Sequence, residues 1–390
     1  MFRSSEGPVR HQLERLFGAG GLNIRTAKLL MGVEHLLNLE PTDLKILRKL
    51  AIDPRMRQVD IARDLGVTRS SVNQVWKRLA NSHGFRVNSV IDYGQVGMAL
   101  LFGWAQIPST SKTLASFRDW LESSVFVSDT TYSLVSSTTY STVYFEAVLP
   151  RGERVWWFTK QLEGLCGAHD DIIMVHDTAS EVSHHLNLGL FDGSHWDFDE
   201  GFRFQASTGV ARGYADVLPV TNTLKQSESG SGSIVDMALL SAVQQDYHAS
   251  ARQVAAGLRR LGSRRLSERT LRRHLEQIRN WWAMPYIELD NIGLAQRVLV
   301  CVENNPNEQS LSRVLHVQAG ALPKARVVSG PRLSVLDLKL PISSNLVALS
   351  SSLERMIRHT AQPIIFIARE SMTRKALENL LSYQAKKLRS

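Results

Sequence analysis

The chain has 390 residues, 43% of them hydrophobic and 21% charged, with a formal net charge of +9 and an isoelectric point near 9.7. This length suggests two to four domains with ample buried core, and the composition is that of an ordinary globular protein, which excludes a disordered or membrane-embedded chain. The basic balance favours a polyanionic partner, whether DNA, RNA or an anionic membrane surface.

Residues 1–40 contain two helical runs, HQLERLF and IRTAKLLMGVEHLL, read as an N-terminal helical extension packing either on the next unit or on a partner. GAGG at Gly18–Gly21 follows no strand and reads as a turn. A first helix follows, with Thr42 as its expected N-cap, Leu44, Ile46, Leu47 and Leu50 as its apolar stripe, and Pro54 beyond its end. A second helix from Gln58 places Val59, Ile61, Ala62 and Leu65 inward; Gly66 can then take positive φ and Thr68 can cap a third helix. In that third helix Val72, Val75, Trp76 and Leu79 share one face, leaving Ser70, Gln74, Lys77 and Asn81 opposite and Asn73 at the edge. The outer face is rich in donors and free of acids. Ser and Asn suit phosphates or base edges, Gln pairs bidentately with adenine, and Lys77 and Arg78 supply charge toward the backbone. Thr68, Arg69, Ser70, Ser71, Asn73, Gln74, Lys77 and Arg78 are therefore the first DNA-binding candidates, against the plainer reading of a three-helix packing module.

TDLKILRKLAIDPRMRQVDIARDLGVTRSSVNQVWKRL, with GFRVNSVIDYGQVG after it, resembles the DNA-binding domain of the Lrp/AsnC (leucine-responsive regulator) family of transcription factors. The likeness rests on Asp43, the Asp-x-Arg at Asp53 and Arg55, the Ile-Ala of helix two, the Gly-Val-Thr turn and a wing ending in Ile91-Asp92. It implies a winged helix-turn-helix that binds double-stranded DNA. Gln74 stands where the family commonly has Arg, so the family's base preference does not transfer.

After the wing, MALLFGWAQI, TLASFRDWLES, FVSDTTYSLVSS, STVYFEAVLP, a helix from Arg151 through Leu165 and DIIMVHD give strand-helix-strand-strand-helix-strand, a ferredoxin-like pattern. This agrees with the effector and dimerisation domain of the Lrp/AsnC family, and the resemblance implies a small-molecule effector and self-association through these domains. STVYFEAVLP lacks the glycine that family members commonly carry for the effector. Trp156, Trp157 and Phe158 are expected in the core of their helix. Cys166, His169, Asp170, His176, His184, His185 and His195 are metal-ligating residue types, but their spacing matches no closed four-ligand site, and neither a metal nor a cofactor is expected. PVTNTLKQSESGSGS, residues 219–233, reads as a flexible linker.

The sequence then repeats. Asp236, Leu239, Leu240 and Val243 answer to Asp43, Ile46, Leu47 and Leu50, and Val254, Ala255 and Leu258 to Ile61, Ala62 and Leu65, all at an offset of 193; the third helix follows at 199, because the turn carries six more residues. LDNIGLAQRVLVCVENNP parallels IDYGQVGMALLFGWAQIP at 198. Leu271, Leu275, Ile278 and Trp282 form the second buried stripe, and Arg264, Arg265, Ser267, Arg269, Thr270, Arg272 and Arg273 are the second set of DNA-binding candidates, suited to phosphate neutralisation. QRVLVCVEN, SLSRVLHVQA, KARVVSG, SVLDLKLPI, LVALSSSLERMIRHT and PIIFIAR repeat the ferredoxin-like pattern.

The expected fold is thus α+β: two winged helix-turn-helix units (41–92 and 234–290), each followed by a ferredoxin-like α/β sandwich (93–218 with a C-terminal extension, and 291–390). The expected function is a sequence-specific, non-enzymatic transcription regulator, cytoplasmic because neither a signal peptide nor an apolar run of the ~20 residues needed to span a bilayer is present. Two alternatives are an architectural chromatin-like protein, and a siroheme decarboxylase, which is built from similar parts but whose His-Asn-Tyr signature is missing here despite WWFT at 156–159.

Overall fold

The structure is a computed structural model that describes residues 39–381 apart from 110–111, 135–139, 167–171, several residues between 199 and 231, and 261–265, 305–309, 358–362 and 374–376. The helical runs expected before residue 39, GAGG, His169, Asp170, Arg264 and Arg265 lie outside the described residues.

Three helices open the fold: α1 (Pro41–Ile52), α2 (Gln58–Leu65) and α3 (Arg69–His83), leading into β1 (Arg86–Ile91). α1 starts one residue before the expected Thr42 cap: Pro41, whose missing N–H costs nothing in a first turn, occupies the helix start, and Glu40 sits at the cap position without a capping bond from its side chain. α2 buries Ile61 and Ala62 but leaves Val59 exposed, because an eight-residue helix offers its neighbours only a narrow face. Gly66 takes φ 66° and closes α2, and the Thr68 hydroxyl accepts from the Ser71 amide at 3.1 Å to start α3. The connection is tight because each residue in it satisfies one helix end.

The chain continues through β2 (Met98–Pro108), α4 (Lys112–Ser123), β3 (Val127–Ser133), β4 (Tyr140–Pro150), α5 (Glu153–Cys166) and β5 (Ile173–Thr178). β6 (Glu181–Leu186) and the short β7 (Thr223–Lys225) follow, and the sequence reading anticipated neither. Three more helices, α6 (Ile234–Gln245), α7 (Ala251–Arg260) and α8 (Glu268–Trp281), lead into β8 (Ala283–Glu288). Last come β9 (Gln296–Glu303), α9 (Ser310–Ala319), β10 (Lys324–Ser329), β11 (Leu333–Leu340), α10 (Leu346–Ile357) and β12 (Ile364–Thr373). No helix among the described residues is long and apolar enough to cross a membrane.

Among the described residues ten strands form one sheet in the order β5-β2-β4-β3-β12-β9-β11-β10-β6-β7. Numbered within each half, both four-strand sets run 4-1-3-2. Two strand pairs join the halves. Ile364–Ile367 of β12 pair with β9 while Ala368–Thr373 pair with β3, and conversely β5 pairs with β2 while β6, three residues on, pairs with β10. The inner faces share one core containing Phe102, Trp104, Tyr144, Leu299, Val335 and Phe366, and each outer face is covered separately by its own helices.

Charges sit inside that shared core. Arg326 on β10 makes a forked contact with Glu146 on β4, its Nη2 2.9 Å from Oε2, and the Tyr144 hydroxyl also donates to Glu146. Arg297 on β9 reaches Asp337 at 2.8 Å and, in the other half, Asp129 at 3.3 Å and the Thr131 hydroxyl at 2.9 Å. Burial pushes the Asp129 carboxyl up to about 6 despite the neighbouring guanidinium.

Two other expectations are corrected. Residues 219–233 are not a free linker: Ser227 donates its amide to Asp92 at 2.8 Å, Gln226 accepts from the Tyr93 amide at 2.9 Å, and Arg151 donates to the carbonyls of Ser227 and Glu228. This strap lies so close to the turn at Tyr93–Val96 that a Cβ on Gly94 would stand 1.9 Å from the Ser227 carbonyl, and one on Gly230 would stand 2.3 Å from the Gly94 carbonyl. Glycine serves close approach there. Of the aromatic trio in α5 Phe158 is buried, on the same side as Leu162 and Cys166, whereas Trp156 and Trp157 are 63% and 43% exposed, because the sheet accepts one side of this outer helix.

Candidate nucleic-acid interface

α3 buries Val72, Val75 and Leu79, each burial contributing roughly 1.5–3 kcal/mol, and so fixes which face remains outside. Trp76 is half-buried and meets Phe85 edge-on at 4.8 Å and His248 of the second three-helix unit at 6.1 Å. Ser70, Gln74, Lys77 and Asn81 are exposed together on the opposite face with Arg69 and Ser71, and Asn73 is half-buried at its border. Thr68 and Ser71 are occupied with each other at 2.8 Å as part of the cap. Arg78 departs from its expected role: its guanidinium pairs with the buried Asp43 and, at 3.0 Å, with Glu40, which raises its pKa and ties α3 to α1. Its charge is spent on holding the helix at its angle, and Lys77 carries the local positive charge outward.

α8 repeats the geometry with different chemistry. Ser267 caps it, accepting from the Thr270 amide at 3.1 Å, and Leu271, Leu275 and Ile278 are buried. Arg269, Arg272, Arg273 and Glu276 are exposed, while Thr270 is half-buried behind the cap. Arg272 pairs with Glu268 at 3.3 Å; among the described residues Arg269 and Arg273 have no ion-pair partner. Arg279, near the end of α8, points inward, donating to the Tyr247 carbonyl at 2.6 Å and stacking over the Tyr247 ring.

The strands that follow these helices, β1 and β8, pair antiparallel over their whole length, from Arg86↔Glu288 to Ile91↔Ala283. Each is packed by the other unit: α6 lies against β1, with the Ser89 hydroxyl donating to the Val243 carbonyl at 3.0 Å, and α1 lies against β8. Arg48 of α1 donates to the carbonyls of Leu188 (3.1 Å) and Phe191 (2.7 Å), anchoring the first unit to the chain leaving β6. Sequence reasoning missed this clamp; a lone arginine on a helix has no local signature for it.

Residues 39–80 match the AsnC-type helix-turn-helix domain. This AsnC-type domain is the 42-residue portion holding α1, α2 and most of α3. No curated protein matches the chain. Among solved structures the chain is similar to the siroheme decarboxylase NirDL, at 11% identity and a TM-score of 0.50 over 89% of this chain and 100% of that one, and to NirDL in co-complex with an iron-uroporphyrin III analogue, at 11% identity and a TM-score of 0.51 over 89% and 99%. At that identity the likeness is one of fold.

Below the AsnC-type domain, Ala51, Pro54, His184, His185, Tyr286 and Lys324 line a cavity of about 20 Å³, room for roughly one water molecule. The His184 ring stacks on Tyr286 at 3.9 Å, and burial holds both histidines well below their usual range, His185 at about 4. Among the described residues no group of three or more His, Cys, Asp or Glu side chains is arranged to hold a metal.

Proposed function

We propose that the chain is a sequence-specific, non-enzymatic DNA-binding transcription regulator of Lrp/AsnC type, with two winged helix-turn-helix heads and two ferredoxin-like domains fused by tandem duplication. The observation that carries the DNA-binding reading is the acid-free, donor-rich outer face of α3 within a matched AsnC-type domain. Two features support the duplication. The 4-1-3-2 strand order occurs in each half. Asn88 also pairs with Tyr286, which lies 198 residues on, the offset that relates Ile91-Asp92 to Leu289-Asp290. A strand that pairs with its own counterpart has the register of a two-fold axis. In this reading the self-association expected of ferredoxin-like domains is satisfied within the chain, and a small-molecule effector remains a proposal. Selection from a random duplex pool at stated salt tests it: enrichment of one sequence family well above bulk DNA supports a regulator, whereas retention of all duplexes alike supports a chromatin-like protein.

The fold shared with NirDL favours a second reading, a siroheme decarboxylase-like activity. Against it, WWFT at 156–159 lies on the outer helix α5, with Trp156 and Trp157 exposed away from the sheet. Adding siroheme and recording the visible spectrum separates the readings; a shifted and saturable spectrum would overturn the regulator as the sole function.

A further inference from the structure

We infer that the DNA this chain recognises is an asymmetric inverted repeat: an A·T-specified half-site under α3 and a G·C-specified half-site under α8, centred one helical turn apart. The inference rests on the DNA-binding reading above and adds the class of sequence, its symmetry and its spacing.

The symmetry comes from the ribbon. Antiparallel pairing of β1 with β8 about Asn88 and Tyr286 relates the two helices that precede these strands by a local two-fold, so their half-sites run in opposite directions. The spacing is bounded by chain length. The paired ribbon is six residues long, ~17 Å at ~3.4 Å per residue, and α3 ends three residues before it and α8 two. With helices of 15 and 14 residues, ~22 and ~21 Å long, the two midpoints are at most ~56 Å apart. One turn of B-DNA, about 34 Å, falls inside that limit; two turns, about 68 Å, fall outside.

The asymmetry comes from the side chains. The α3 face offers Asn73 and Gln74, whose amides match adenine N6 and N7, with Lys77 for the backbone. The α8 face offers Arg269 and Arg273 one turn apart without ion-pair partners among the described residues, and beside them the exposed Glu276. Guanidinium matches guanine O6 and N7, and a carboxylate accepts from cytosine N4 while repelling phosphate. Two identical heads cannot distinguish the two directions along DNA, but this pair can, so the bound chain has a defined orientation.

The test is selection of bound duplexes from a random pool with the full chain, followed by the same selection with Gln74→Ala and Arg273→Ala, circular dichroism serving as the folding control. The expected consensus has two unlike inverted halves ~10–10.5 base pairs apart. Gln74→Ala should cut preference by roughly 5- to 150-fold at one A·T position of one half, and Arg273→Ala by a similar factor at one G·C position of the other, the range that ~1–3 kcal/mol per bidentate contact corresponds to. A palindrome of identical halves, a direct repeat, a spacing near two turns, or an Arg273→Ala variant that weakens every sequence equally would overturn the inference while leaving DNA binding intact. Retention without preference overturns it too, and no retention at low salt overturns the DNA-binding reading with it.

Discussion

Replacing Glu146 with Leu strands the Arg326 guanidinium between the two sheet faces. Arg326 and Glu146 are 20% and 7% exposed at their side chains, and the carboxylate accepts two parallel contacts from the guanidinium and a third from the Tyr144 hydroxyl. Removing one partner of a buried pair costs about 3–5 kcal/mol, because the other charge keeps its desolvation penalty and loses its compensation. Arg326→Leu should cost a similar amount, while the double variant, which buries two leucines, should lie within about 1–2 kcal/mol of the parent. The coupling energy in the double-mutant cycle is then at least ~4 kcal/mol. Urea denaturation followed by fluorescence of the eight tryptophans and by far-ultraviolet circular dichroism measures it, provided the two transitions coincide. Single variants losing under ~1 kcal/mol, or a double variant losing the sum of both, would refute the idea that this pair sits in a desolvated interface between the halves.

Gly94→Ala should destabilise by about 1–3 kcal/mol, the usual cost of overpacking, and should raise hydrogen exchange at the Ser227 amide as the strap lifts. Asp129, with its folded pKa raised to about 6, takes up protons on folding, so its contribution to stability is greatest below the unfolded carboxyl value and falls as pH rises from about 4 to 6; Asp129→Asn should gain relative to the parent across that window, read as the difference in thermal midpoints. His316, buried between the Ser183 and Ser329 hydroxyls and held at about 4, behaves oppositely: its contribution is complete above about 6.5 and is lost as pH falls toward 4, a slope that His316→Gln should flatten in denaturation at pH 7 and pH 5. A fragment of residues 1–225 exposes the edge of β3 and should self-associate or aggregate on size exclusion; a stable, monodisperse monomer would count against the paired halves.

Local chemistry was legible in the sequence wherever one residue settles one backbone group. Gly66 closes α2, Thr68 and Ser267 cap α3 and α8, and the 3.6-residue stripes of both helices point inward as their periodicity implies. The strand-helix alternation marked every strand from β2 to β5 and from β9 to β12 to within a few residues. The long-range decisions were not legible. Arg78 looks like any basic residue on an outward face until Asp43, 35 residues earlier, arrives beside it. Ser and Gly in 219–233 have the composition of a linker, yet the same small side chains let two backbones touch at Gly94 and Gly230. Trp156 and Trp157 are apolar but stand on the wrong side of a helix with one covered face. β6 was missed because EVSHHL alternates weakly, and it becomes a strand through its partner β10.

The crossing of β12 from β9 onto β3 also governs how the molecule is made. β3 emerges from the ribosome more than 230 residues before Ala368–Thr373, the segment that completes its pairing. Until then the first half of the nascent chain has an open strand edge and one bare, apolar sheet face. Contacts so distant in sequence close slowly, since the loop entropy is lost before the pairing is gained. At elongation rates of about 5–20 residues per second the exposure lasts for roughly ten to fifty seconds, long enough for a holdase chaperone to bind that edge. Yield of folded protein should therefore depend on chaperone supply more strongly than the stability of the finished molecule would indicate.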